Sequence, residues 1–215
     1  MHTLIDKNKL ALITLLLFLI LTGFLYFSVG YVSLILVGLP GLFSYCFWYR
    51  YYLKKPTDPS KIIPFFLLSV SGFQFHLIEQ YLGNYAQAIS RLFNLAWTES
   101  LFFVVICCLS GLLLLISIGL FYKKEMAGFV AILFLSTRMA ELFLFIFPLI
   151  KPKIQPFQAQ NISGFISETF VGNMPNYYYP IAEEYYFPGM YTWILTFIPA
   201  VYTLHRIRKA FLSNT

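Results

Sequence analysis

Residues 10–29 read LALITLLLFLILTGFLYFSV, twenty positions with no charge among them. Apolar runs of about 18 or more residues read as membrane-spanning helices, because such a helix covers a hydrocarbon core about 30 Å thick. Lys7 and Lys9 precede the run, as basic residues precede the apolar core of a secretory leader. The run continues well past the roughly 7–15 residues of such a core, and no small-x-small cleavage site follows it. It is therefore expected to be a retained first span.

The rest of the chain has the same character. Of 215 residues, 59% are hydrophobic, 20% aromatic and 11% charged, with a mean hydropathy of +0.73. A soluble domain carries about 25% charged residues, so this chain has too few to cover a water-facing surface. An all-α fold is predicted, a polytopic transmembrane helical bundle of about six spans. The spans are expected at 10–29, 31–51, 62–82, 98–122, 126–149 and 188–204. No polar loop separates the first two. Forty continuous helical residues would reach about 60 Å, so a tight hairpin is expected near Gly30.

The basic residues orient the bundle. With the N-terminus cytoplasmic, the inner side holds Lys7, Lys9, Arg50, Lys54, Lys55, Lys61, Lys123, Lys124, Arg206, Arg208 and Lys209, eleven of fifteen. The outer side holds Arg91, Lys151 and Lys153, and Arg138 falls inside the fifth span. This asymmetry follows the positive-inside rule and puts both termini on the cytoplasmic side. It also accounts for the net charge of +6 without a nucleic-acid partner. Localisation is expected in a bacterial inner membrane or its equivalent, as a multi-pass protein. Cys46, Cys107 and Cys108 fall inside spans without metal-type spacing and read as small apolar packing residues. A long outer segment, 150–187, is rich in Tyr and Asn, including Glu183 and Glu184, and reads as a surface loop or lid. Asn161-Ile162-Ser163 within it fits a glycosylation sequon, a triplet common by chance.

Function is sought in the charges at membrane depth, since such residues are costly and face a bundle interior. His76 and Glu79 stand i,i+3 in the third span, and Arg138 and Glu141 stand i,i+3 in the fifth, with Thr137 four before Glu141. Each helix thus carries a compact polar patch on one face. At about 1.5 Å per residue, His76 lies roughly 6 Å beyond the midplane and Glu79 about 10 Å, with Arg138 near the midplane and Glu141 about 6 Å above it. Glu99 lies at the outer mouth of the fourth span. These five residues are expected to line one polar cavity. His76, Glu79 and Glu141 are the candidate acid–base groups; Arg138 would hold a carboxylate ionised, and Thr137 and Glu99 would contact a ligand. One His with two Glu is a poor zinc set, so neither a metal nor a cofactor is expected. No Ser-His-Asp grouping, Gly-rich phosphate loop or HExxH motif occurs. The bland alternative is an Arg138–Glu141 pair that fixes helix register alone.

The segment HLIEQY, residues 76–81, resembles the signature of the HXXEE membrane proteins, a family of uncharacterised function. YYFPGMYTWILTFIPAVYTL, from Tyr185, is similar to that family's closing Tyr-x-Pro-Gly-x-x-Thr/Ser segment, with Pro199 eleven residues after Pro188. TRMAE, 137–141, stands where members carry an Asn-x-x-x-His pair. The resemblance covers roughly 62–208 and implies that Gln80, Tyr186, Thr192 and Trp193 join the ligand site. It departs at Gln80, where the family has a second Glu, and at Thr137 and Glu141. A more distant likeness is to the emopamil-binding and sterol isomerase (EXPERA) group. His76, Glu99 and Glu141 fall where that group carries a His and carboxylates that move protons across a sterol double bond.

The chain is thus expected to comprise an N-terminal transmembrane hairpin, 1–55, and a four-span HXXEE-like bundle, 56–215. The expected function is binding of an isoprenoid- or sterol-like molecule in an intramembrane polar cavity, with isomerase-type acid–base chemistry. The competing class is a non-enzymatic subunit or proton-coupled transporter-like protein whose charges serve assembly. Expected partners are membrane lipid, a hydrophobic small-molecule ligand, and either a second copy or a membrane partner protein.

Overall fold

The computed structural model describes residues 2–29, 33–83, 85–86, 98–142 and 189–213. The described residues are helical, with no strand among them. The helices are α1 (His2–Val29), α2 (Leu39–Tyr51), α3 (Pro59–Leu82), α4 (Glu99–Phe121), α5 (Glu125–Ala140) and α6 (Trp193–Leu212). A π-helical segment, Leu34–Gly38, leads into α2, where Pro40 has no N–H to lose. Among the described residues, three stretches are long and apolar enough to cross a membrane: Asp6–Phe27, Pro59–Leu82 and Glu99–Phe121. α2 and α5 are shorter, at 13 and 16 residues. The expected turn near Gly30, the outer segment 150–187 with its sequon, and residues 143–149 of the expected fifth span lie outside the described residues.

Local chemistry sets the helix ends. Asp58 accepts from the Ser60 N–H ahead of α3, and Pro59 occupies the first turn, where its missing N–H costs nothing. Thr98 Oγ1 accepts from the Leu101 N–H (3.1 Å) at the start of α4. The α4–α5 turn is tight: the Lys124 N–H donates to Gly119 O (2.9 Å), with Lys123 at φ 54°.

Cross-helix contacts fix the topology. α3 lies antiparallel to α6: Ser69 Oγ donates to Thr196 O (2.9 Å), and Phe65 packs edge-on against Tyr202. Gly72 lets the Leu195 carbonyl approach so closely that any Cβ would collide with it. α3 runs parallel to α5, with Phe66 and Phe73 both against Phe134. α2 lies antiparallel to α5: Ser44 Oγ reaches Ile132 O (3.4 Å) and Trp48 Nε1 donates to Glu125 O (2.8 Å), while the Tyr52 ring covers Gly128. α4 is bound to α3 through Ser110 Oγ donating to Gln74 Oε1 (3.0 Å). α1 is held at one end by Lys7, which donates to the Leu53 and Lys54 carbonyls (3.1 Å each) and sits 3.7 Å from a Glu125 carboxylate oxygen.

One continuous core results, running from Phe18 and Trp48 through Phe66 and Ile132 to Leu204. α2 therefore shares its core with α5. Outward faces stay apolar: Ile20 is 68% exposed, Leu115 66% and Leu82 74%. Cys46, Cys107 and Cys108 lie on these faces, exposed, and not in the packing positions expected of them. The reason is angular, since each sits on the side of its helix away from the neighbours.

The contacts also sort the bundle's two ends. Lys7, Lys54 and Glu125 gather at one end, where Tyr51 meets Phe211 edge-on. The Tyr52 hydroxyl beside them is buried without a hydrogen-bond partner, and burial first, then Glu125, pushes its pKa up to about 12. His76, Arg138 and Glu141 lie at the opposite end.

Candidate functional site

α3, α5 and the first turn of α6 converge on one hydrogen-bonded cluster. His76 is wholly buried, Gln80 is 3% exposed and Glu141 7%. His76 Nε2 lies 2.9 Å from Glu141 Oε1. Gln80 Nε2 donates to the same carboxylate oxygen (2.9 Å) and lies 2.9 Å from His76 Nε2. Arg138 Nη1 donates to Glu141 Oε2 (2.9 Å). Helical spacing makes this reach natural: His76 and Gln80 are i,i+4, and Arg138 and Glu141 are i,i+3.

Donor counting assigns the protons. A guanidinium and a carboxamide NH₂ both donate to Glu141, which an ionised carboxylate accepts best. His76 Nε2 then carries the hydrogen directed at Glu141, and its contact with Gln80 is donor beside donor. The opposite ring nitrogen, Nδ1, faces Thr192 Oγ1 at 3.4 Å.

Thr192 connects the second carboxylate. Its hydroxyl donates to Glu79 Oε2 (2.5 Å), and its N–H donates to the same oxygen (2.8 Å). The Tyr191 N–H reaches Glu79 Oε1 at 3.4 Å. Thr192 is the N-cap residue of α6, so Glu79 on α3 caps that helix from outside, where amides and dipole favour an anion. The result is a chain of polar groups, Glu141–His76–Thr192–Glu79, across three helices.

Arg138 is held by more than Glu141. Its guanidinium carbon lies 4.2 Å from the Phe73 ring centre and 5.3 Å from that of Phe134, cation–π distances. Thr137 Oγ1 donates back to Phe134 O (2.7 Å) and lies 3.5 Å from Arg138 Nη2. Trp193 Nε1 donates to the Arg138 carbonyl (2.7 Å) in the last turn of α5. Gly189, at φ +94°, lays its backbone against the His76 ring edge, where any Cβ would strike Cε1.

The structure therefore brings together His76, Glu79, Gln80, Thr137, Arg138, Glu141, Thr192 and Trp193. His76 and Glu79 are joined through Thr192, not directly. Glu99 does not join them among the described residues: it stands exposed in the first turn of α4, where its charge suits the helix N-terminus. Tyr186 lies outside the described residues, as do Glu183 and Glu184. Phe73 and Phe134 were not singled out by the sequence, and Gly189 entered only as the glycine of the Tyr-x-Pro-Gly motif. Phe73 is three residues before His76 and Phe134 four before Arg138, so helical spacing was a signal for both. Among the described residues no group of three His, Cys, Asp or Glu side chains is placed to hold a metal ion. The chain matches no protein-family model, and no curated protein or solved structure is significantly similar to it.

Proposed function

We propose that this chain is a multi-pass membrane protein of six spans with both termini cytoplasmic, as in a bacterial inner membrane, and that its buried cluster binds a hydrophobic small molecule and moves protons on it. Kinship with the HXXEE proteins, and more distantly with the sterol isomerase group, belongs to the same proposal. The observation that carries the reading is an imidazole wholly buried between two carboxylates, with a polar partner at each ring nitrogen.

The roles follow from the hydrogen bonds. Glu141 fixes the His76 tautomer and stabilises the imidazolium when a second proton arrives at Nδ1, as a carboxylate orients any histidine base. The Thr192 hydroxyl, already donating to Glu79, accepts from that Nδ1–H and passes its own proton on to Glu79. The chain can take a proton from one carbon of an isoprenoid- or sterol-like ligand and return one to another, with no net change. Gln80 and Arg138 keep Glu141 ionised by donating to it.

The test is to purify the protein in mild detergent, extract and identify any co-purifying lipid, and follow deuterium exchange into that lipid. Exchange is expected with wild-type protein and lost in a folded His76→Ala variant. A preparation without lipid, stabilised by no hydrophobic compound, sinks the reading.

One observation favours a second reading, a non-enzymatic subunit whose charges serve assembly: the same bonds tie α3, α5 and α6 together. In that case His76→Ala and Glu141→Gln lower the folded yield equally, and no folded but inactive variant is found.

A further inference from the structure

Arg138 has more donors than the cluster uses. A guanidinium offers five N–H groups in a plane and accepts nothing. Nη1 donates to Glu141 (2.9 Å), Nη2 has only a long contact with Thr137 Oγ1 (3.5 Å), and Nε is buried without any hydrogen-bond partner. The Arg138 side chain as a whole is 12% exposed, and Nε itself is buried. Buried polar groups in folded proteins are nearly always paired, and a buried orphan on a charged group calls for a specific occupant.

The surroundings restrict what that occupant is. Phe73 and Phe134 lie at cation–π distance from the guanidinium, so a ligand oxygen reaches it in its plane. Glu141 takes the Nη1 side. What remains is the side edge, where Nε–H and one Nη2–H point the same way and converge on one acceptor. The charge count decides the acceptor's type. The Glu141 carboxylate already balances Arg138, and Glu79 adds a second carboxylate on the far side of His76. A further anion would leave three negative groups against one fixed cation at membrane depth, which is costly.

Building on the ligand-binding reading above, we propose that the Nε–Nη2 edge of Arg138 is a subsite for an uncharged carbonyl oxygen, so that the ligand is a ketone- or quinone-type lipid and not a hydrocarbon or a fatty acid. The oxygen sits beside Thr137 Oγ1. Its carbonyl is polarised by the guanidinium, which makes the hydrogens on the neighbouring carbon acidic enough for the His76 relay to remove.

The test uses three isoprenoid probes with the purified, detergent-solubilised full chain: farnesylacetone (a ketone), farnesylacetic acid (a carboxylate) and farnesene (a hydrocarbon). Farnesylacetone is expected to bind about ten-fold more tightly than farnesene, the effect of one charge-assisted hydrogen bond. The infrared carbonyl stretch of the bound ketone should move to lower frequency. Arg138→Lys keeps a cation for Glu141 but removes the two-toothed edge; it should abolish both the preference for the ketone and the frequency shift. If Arg138→Lys does not fold, the wild-type comparison and the infrared shift still decide. Equal binding of ketone and hydrocarbon overturns the subsite while leaving hydrophobic binding intact. Tightest binding of the carboxylate overturns the uncharged assignment. No binding of any probe overturns the subsite together with the reading on which it rests.

Discussion

Glu141→Gln tests how much of the cluster is held by charge. The substitution keeps the side chain's shape and one acceptor oxygen. Three donors now converge on the carboxylate, from Arg138, His76 and Gln80, each at 2.9 Å. A carboxamide turns its NH₂ toward at least one of them, leaving donor against donor. It also leaves the Arg138 charge without a counter-ion in a site where the pair is 12% and 9% exposed. Removing one partner of a buried pair costs about 3–5 kcal/mol, and for a chain of this length that is roughly 6–20 °C in Tm. The assay is thermal unfolding of detergent-purified protein, followed by intrinsic fluorescence, for wild type, Glu141→Gln, Arg138→Gln and the double variant. The double variant has neither charge, so it should regain about 2 kcal/mol relative to the sum of the single effects. If each single variant loses less than about 1 kcal/mol, or if the two losses simply add, then the ion pair does not organise the cluster.

Other outcomes can be checked on the same preparation. Gly72→Val should cost about 1–3 kcal/mol by overpacking, because its Cβ meets the Leu195 backbone, which has no rotamer to escape into; an unchanged Tm would mean α3 and α6 are not this close. Tyr52→Phe should be neutral or slightly stabilising, since it removes a buried hydroxyl that lacks a partner. The same residue sets an alkaline limit. Its folded-state pKa of about 12 lies above the ordinary value of 10.0, so its contribution is complete below pH 10 and lost as pH rises toward 12. Tm measured from pH 9 to 12 should therefore fall less steeply in Tyr52→Phe than in wild type. Thr192→Val removes the hydroxyl between His76 and Glu79 and should abolish deuterium exchange into the ligand at little cost in Tm, with Thr192→Ser restoring it; full exchange in the Val variant would rule out the relay. Glu79→Gln should likewise cost more in exchange than in Tm, the reverse of Glu141→Gln.

Much of the fold was legible because it depends on hydropathy and helix length. The expected spans 62–82 and 98–122 correspond to Pro59–Leu82 and Glu99–Phe121, with ends displaced by the capping groups Asp58 and Thr98. The π-helical segment before α2 left no such signal, and neither did the outward angle of the three cysteines, which depends on neighbours that hydropathy does not reveal. In the site, spacing within one helix showed that His76 with Glu79, and Arg138 with Glu141, each share a face. It did not show which atoms meet between helices. Gln80 stood out in the sequence as a departure from a second Glu, yet in three dimensions its amide bridges the histidine and the carboxylate. Thr192 is 113 residues from Glu79, a separation at which no local pattern operates.

The two carboxylates of the buried cluster, Glu141 and Glu79, are not equivalent, and the difference follows from what donates to each. Glu141 receives a guanidinium, a carboxamide and an imidazole N–H, and two of these groups lie on a different helix from its own. Protonating it would break bonds on α3 and α5 at once. Glu79 receives backbone and hydroxyl hydrogens from the first turn of α6. Of these, the Thr192 hydroxyl can reverse its direction, donating at one moment and accepting at the next, whereas an amide N–H can only donate. Of these donors, the hydroxyl is the one that can yield to a proton arriving at Glu79. In the proposed relay, that asymmetry makes Glu141 the fixed end. One cluster can thus tie three helices together and still contain a hydroxyl whose hydrogen bond reverses.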